Sequence, residues 1–330
     1  MIDSLVIVRW VHWTACLLLA SSQIFRPWLL PKNLLTKESG VAAWRDEFLS
    51  RLGALGRSAW AVALLSLVVW FGLTAWALTG SDTGLDLPSI ETVATRTQFG
   101  RVSLVRLAVL AAAGFCLFRA HAKPVAAPGH PRTADAALTV ALSLVNLLAL
   151  SLTSHGAAAP GPAAVARTLV DAVHLLAASI WPGGLVCFAL LLGCTVRARP
   201  STPVMVAAAA ATHRFSTFSL AAVGGLSATG LTMSFFFLHQ LQDLWTSGYG
   251  RLLTAKILAF FGMLAIGAWN LLVLRRKLWR QAQRAHGVPA PAAATARALC
   301  RNVLCEIVLS IVVLAMVAAL GLTGPPVHQP

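Results

Sequence analysis

Two histidines stand inside apolar stretches of this sequence, and what an imidazole can do there is the first question. His12 lies in Leu5–Phe25 and His174 in Arg167–Val196, both long enough to cross a bilayer. An ionisable side chain at membrane depth is expensive, so each is expected to face the protein interior or a wet cavity. At about 100° per residue, Asp171, His174, Ala178 and Trp181 share one helical face. A neutral imidazole binds copper and other borderline metals through one ring nitrogen. His155 and His239 follow the fourth and sixth apolar runs, and His328 lies in the C-terminal tail. The candidate metal ligands are therefore His12, His174, His155 and His239. No helix carries a pair of His at i, i+4, so a metal site must be assembled between helices. The plain alternative is a histidine hydrogen-bonded inside a helix bundle.

Other residues could support or gate such a site. Pro182 removes a helical hydrogen bond to the Ala178 carbonyl. Gly183 and Gly184 allow a bend or the close approach of a neighbouring helix. A kink spanning Trp181, Pro182 and Gly184 is thus a candidate gate. Arg106, Lys256 and Glu306 are further charges inside the apolar runs. Glu306 suits a proton or cation way-station, or the partner of a basic residue. Arg106 and Lys256 are expected to snorkel outward. A fixed positive charge beside His174 opposes a cation unless Asp171 offsets it, and it would welcome an anion such as a haem propionate. The six cysteines form no C-x-x-C pair, which argues against a disulfide scaffold. Cys16 falls near mid-membrane. Cys187 and Cys194 lie nearly opposite His174 around their helix and read as packing.

The elements that must position these residues are membrane helices. The chain is 58% hydrophobic and only 11% charged, where a soluble domain carries about a quarter charged residues. Eight apolar runs are long enough to span: 5–25, 58–79, 101–119, 134–154, 167–196, 215–238, 250–274 and 299–323. Lipid forces backbone polar groups to pair within each segment, so all should be helices. The first run holds Arg9, His12 and Gln23 and has no small-residue cleavage site, so it reads as a span and not a cleaved signal peptide. The net charge of +15 is spread over short loops, which is an orientation signal and points to no nucleic-acid partner. Arg26 to Arg57, Arg119 to Arg132, Arg197 to Arg214 and Arg275 to Arg297 mark one side as inner. Both termini are then outside, and His12 and His174 lie about 10–12 Å below the outer surface.

The halves also resemble each other. VRWVHWTACLLLASSQIF parallels VDAVHLLAASIWPGGLVCF, aligning His12 with His174. TQFGRVSLVRLAVLAAAGF parallels SGYGRLLTAKILAFFGMLA, aligning Gly100 with Gly250 and Arg106 with Lys256. The expected fold is all-α and polytopic, with eight transmembrane helices in two parallel four-helix repeats and a site between them. Residues 1–133 hold helices 1–3 of the first repeat, 134–165 helix 4 and an outer linker, and 166–330 the second repeat.

Four blocks carry a resemblance to a known family. They are SLTSHGAAA, VDAVHLLAASIWPGGL, HRFSTFSL with SGYGRLLTAKILAFFGMLAIGAWN, and RNVLCEIVLSIVVLAMVAALGLTGPP. Together they span most of 151–326 and resemble the CopD/PcoD copper-resistance membrane proteins; the first half matches mainly through RWVHW. The resemblance implies an eight-span inner-membrane protein moving copper from periplasm to cytoplasm beside a periplasmic copper carrier of CopC type. It places His155, His174, Trp181, Gly184, Lys256 and Glu306 on family-like motifs, with His12 following by the repeat. Met is scarce in the spans, SHG stands where GHA is expected, and the Pro of WPGG is not required by the family pattern. The helix 5 block is also similar to HemJ-type haem membrane proteins. That similarity implies an alternative in which His12 and His174 ligate haem b while Arg106 and Lys256 bind its propionates. No ATP-binding loop or catalytic constellation is visible, so a transporter of copper ion, embedded in the lipid bilayer, is expected rather than an enzyme.

Overall fold

The computed structural model describes residues 2–28, 41–79, 86–122, 131–153, 162–198, 201–237, 240–284 and 290–323. The long helices are α1 (Ile2–Trp28), α2 (Ala42–Thr79), α4 (Gln98–Ala122), α5 (Pro131–Leu148), α6 (Pro162–Ile180), α7 (Pro182–Arg197), α8 (Thr202–Phe237), α10 (Gly248–Trp269) and α12 (Ala290–Leu320). Shorter helices are α3 (Leu87–Arg96), α9 (Asp243–Thr246) and α11 (Arg275–Arg284). A 3₁₀ turn, Ala149–Thr153, ends α5, and a π-helical segment, Asn270–Leu274, joins α10 to α11. No strand occurs among the described residues. Eight helical stretches are long and apolar enough to cross a membrane, one for each apolar run of the sequence. The protein is an all-α polytopic membrane protein.

The fifth span is broken where the sequence places its Pro. α6 ends at Ile180, Trp181 forms the junction, and α7 starts at Pro182. Ser21 of α1 donates to the Ser179 carbonyl just before the break, at 2.7 Å. A Cβ on Gly183 would fall 2.2 Å from Ser21 Oγ, and one on Gly184 would fall 2.5 Å from the Phe25 ring. The glycine pair therefore lets α7 press against α1 at this level.

Several helices run further than hydropathy alone indicates. Arg45, Arg51 and Arg57, expected in a loop, lie on α2. The physical reason is a buried stripe: Trp44, Phe48 and Leu52 recur every four residues and are all buried. Trp44 Nε1 donates to Thr195 Oγ1 at the end of α7, at 3.1 Å. Glu47 takes Arg51 at 2.9 Å and Arg197 at 3.9 Å. The start of α12 and the charged α11 do the same, burying Ala292, Ala296, Leu278 and Ala282 in this core. Amphipathic periodicity continues these helices after the uninterrupted apolar run has ended.

The turn leading into the third span and the one leading into the seventh use one device. A short helix, α3 or α9, precedes a hydroxyl residue that caps the next helix. Thr97 Oγ1 accepts from the Gly100 amide at 2.9 Å, and Ser247 Oγ accepts from the Gly250 amide at 2.9 Å. Upstream, Asp86 caps α3 by accepting from the Ser89 amide at 2.8 Å, which holds its carboxyl below the usual carboxylate range.

Candidate functional site

Every partner of His12 comes from the first half. His12 is fully buried, and its Nδ1 lies 2.9 Å from Ser66 Oγ on α2. Ser66 gives its own proton to the Val62 carbonyl at 2.5 Å. Ser66 Oγ can then only accept, so His12 carries its proton on Nδ1. Its Nε2 accepts from Arg106 Nη2 at 2.6 Å. The guanidinium also donates through Nε to the carbonyl and side-chain oxygens of Asn146, at 3.3 and 3.2 Å. Asn146 Nδ2 and Arg106 Nη2 each point at Cys16 Sγ from 3.4 Å, and that sulfur is 3.5 Å from His12 Nε2. The Trp70 ring closes the cluster, 5.5 Å from the imidazole centre.

Arg106 does not snorkel outward: it is 0% exposed. Its partners are neutral, and no salt bridge reaches it among the described residues. A guanidinium is less strongly hydrated than an ammonium and offers several donors in a fixed plane, which suits it to His12, Asn146 and Cys16 together.

His174 sits in a matching arrangement in the second half. Its Nδ1 is 2.8 Å from Thr229 Oγ1 on α8. Thr229 donates to the Gly225 carbonyl at 2.6 Å, so here too the imidazole proton resides on Nδ1. His174 differs from His12 in two ways. It is only partly buried, and its Nε2 has no hydrogen-bond partner among the described residues. Lys256 of α10 is within electrostatic range of His174 and of Asp171. Trp181 packs edge-on to Phe260 of the same helix, with ring centres 5.7 Å apart. The Asp171–His174–Trp181 face thus looks at α8 and α10 within its own half, where the sequence had suggested the junction of the halves.

A third polar group surrounds Glu306, which is 2% exposed on α12. Asn270 Nδ2 donates to its Oε1 at 2.6 Å, and the Trp181 indole donates to the same carboxyl. Asn302 Nδ2 donates in turn to Asn270 Oδ1 at 2.9 Å. Asn270 opens the π-helical segment, and such segments often turn side chains toward functional sites.

The structure therefore brings His12 together with Arg106, and His174 together with Lys256 and Asp171. It joins Trp181 to Glu306. It does not bring His12 and His174 into contact. His155, His239 and His328 lie outside the described residues. Among the described residues, no cluster of three or more His, Cys, Asp or Glu could share a metal ion. The cysteines there are free, and Cys187 and Cys194 are packed in the apolar core. Ser66, Asn146, Thr229 and Asn270 were not anticipated. The available signal was polarity within an apolar run, and for Cys16 its i, i+4 spacing from His12.

An eight-span helical membrane protein with imidazoles held inside each half is the class this architecture defines. The copper resistance protein D-like N-terminal domain model matches residues 1–165, and the copper resistance protein D model matches 209–320. The chain belongs to the copper resistance protein D family. The first half thus carries a family match in its own right, whereas the segment holding His174 and Trp181 falls between the two matched regions. The chain is 27% identical over 270 residues to copper resistance protein D of Pseudomonas syringae pv. tomato, covering 80% of this chain and 81% of that relative. It is 34% identical over 131 residues to copper transport protein CutJ of Bacillus subtilis (strain 168), covering 40% of this chain and 23% of that much longer relative. No solved structure matches.

Proposed function

We propose that the protein carries copper across the bacterial inner membrane from periplasm to cytoplasm, with His174 and His12 as its imidazole stations. The observation that carries this reading is a shared geometry: each Nδ1–H is spent on a hydroxyl, Thr229 or Ser66, which leaves Nε2 open on His174 and held by Arg106 on His12. Metal-binding histidines are held in this way, with the second nitrogen donating to an outer partner that fixes the tautomer. His174 is the station open to cargo. His12 joins when the Arg106 side chain withdraws from its Nε2. Both termini face the periplasm, following the loop charges. Copper arrives from a periplasmic carrier of CopC type by way of His155 and His239, and leaves inward past the Trp181–Gly184 break. Asp171 offsets Lys256 next to the site. Movement of copper requires no catalytic step by the protein.

The test is copper accumulation by cells and by proteoliposomes, read by elemental analysis. Thr229→Val is expected to lower copper affinity about 10–100-fold, the usual cost of an outer partner. His174→Ala should lower it further and abolish uptake, and His12→Ala should reduce uptake. Unchanged accumulation in both histidine variants would overturn the site. In the alternative reading, with His12 and His174 as axial ligands of haem b, His12 Nε2 would first have to leave Arg106. A Soret band in the purified protein would favour it.

A further inference from the structure

The Glu306 carboxyl lies against a half-open cavity of about 260 Å³ between α7, α8, α10 and α12. Its walls are mostly apolar, with Leu185, Phe188 and Phe215 prominent. Glu306 is the one ionisable side chain among the described residues lining it. Across from it, α8 presents Thr212, Ser216 and Ser219. Thr212 and Ser216 give their protons to carbonyls one turn back, so their oxygens can only accept. Ser219 is 8% exposed, and its hydroxyl has no hydrogen-bond partner among the described residues. A cavity of this size has room for several waters, which would have oxygen partners on both walls.

Among the described residues, no charged group adjoins the carboxyl. Gly267 of α10, Asn270 of the π segment and Trp181 at the α6–α7 junction flank the carboxyl; Asn302 stands behind Asn270, and Ser310 donates to the backbone carbonyl of Glu306. Lys256, on the same helix as Asn270, interacts with Asp171 and His174 instead. A buried carboxylate without a basic partner does not stay ionised at no cost in a low-dielectric site. Asn270 donates to Oε1 at 2.6 Å, and the walls around the carboxyl are otherwise mostly apolar. Oxygen donors alone also make a poor home for Cu(I), which selects sulfur and nitrogen.

We propose that Glu306 and its cavity form a proton-binding site, and that copper movement is coupled to protons through it. A proton arriving as hydronium passes to a lone pair of the carboxylate and leaves water behind; release runs the same exchange in reverse, and no electrons move. The coupling route is short, because Trp181 touches Glu306 and stands at the break in the helix that carries His174. The coupling rests on the copper-transport reading, whereas the proton site itself does not.

Two measurements on the full chain in lipid test it. Infrared difference spectra between acid and alkaline pH should show a carboxylic C=O band that appears as pH falls and is lost in Glu306→Gln. In proteoliposomes with a trapped pH dye, an imposed pH gradient should change wild-type copper uptake several-fold. Glu306→Gln, which keeps the shape and an acceptor for Asn270, should take up copper equally with and without the gradient. The proposal is overturned if the band is missing or survives in the variant, if the variant keeps its gradient response, or if a sodium gradient replaces the pH gradient as the effector. If wild-type protein moves no copper, the transport reading falls and the infrared result still decides the proton site.

Discussion

Alanine at Gly250 is expected to cost about 3–5 kcal/mol of stability, from overpacking plus two or three lost hydrogen bonds. A Cβ there would lie 1.8 Å from the Asp243 carbonyl oxygen and 2.7 Å from Leu244 Cα. Both are backbone atoms, so no side-chain rotation relieves the clash, and α9 must move off α10. That movement strains the Ser247 amide and hydroxyl bonds to the Asp243 carbonyl, at 3.2 and 2.8 Å, and the Thr254 bond to the Leu244 carbonyl at 3.1 Å. Gly100 should behave alike, because its Cβ would lie 2.0 Å from the Val93 carbonyl, the acceptor of both Thr97 groups. Gly248 is the control: nothing lies within 4 Å of a Cβ there, so Gly248→Ala should be nearly silent. Melting curves of detergent-purified variants, read by intrinsic tryptophan fluorescence, separate the three. A Gly250→Ala protein that melts with the wild type would refute the close approach.

These two glycines also show what the sequence could reveal. Gly100–Arg101 and Gly250–Arg251 are visible as a repeat, as are His12 and His174, because identical residues within similar short blocks survive inspection. The reason for each glycine is not visible, since it lies in a short helix that hydropathy does not register. The eight spans were legible because a bilayer demands an apolar run for each. The extensions of α2, α11 and α12 were not, because they are amphipathic and a hydropathy window averages them away. The Pro182 break was readable from one residue. At the site, the ionisable residues were found by their cost in lipid, but their partners were not. Ser66, Thr229 and Asn146 are common residues in membrane helices, and only packing selects them. Arg106 was misjudged for a related reason: snorkelling is the usual fate of a span Arg, and its exception needs three acceptors gathered from three other positions, which spacing along one helix does not encode.

Arg106 is the second position where a large effect is expected. Burying a guanidinium is unfavourable in itself, and replacing buried ionic groups by apolar ones is often neutral or stabilising. The sign is therefore decided by what Arg106 leaves behind. Arg106→Ala strands Asn146 Oδ1 and leaves His12 Nε2 with only the weak Cys16 thiol at 3.5 Å, and it empties the volume of the side chain. The stranded acceptor costs about 1–3 kcal/mol, and the weakly held one and the cavity add to it, so a loss of roughly 4 kcal/mol or more is expected. Arg106→Met fills the space and deprives the same acceptors, so it should recover the cavity part alone. Arg106→Lys can reach one acceptor but cannot span His12 and Asn146 with one plane of donors, so it should fall between wild type and Met. Pairing Arg106→Met with His12→Phe in a double-mutant cycle isolates the imidazole contact. Once His12 offers no acceptor, the arginine has less to satisfy, and the coupling should be at least about 1 kcal/mol. Melting in detergent reads every member of the cycle. Additive effects at the two positions would mean that the 2.6 Å contact between Arg106 and His12 does not hold the first half together.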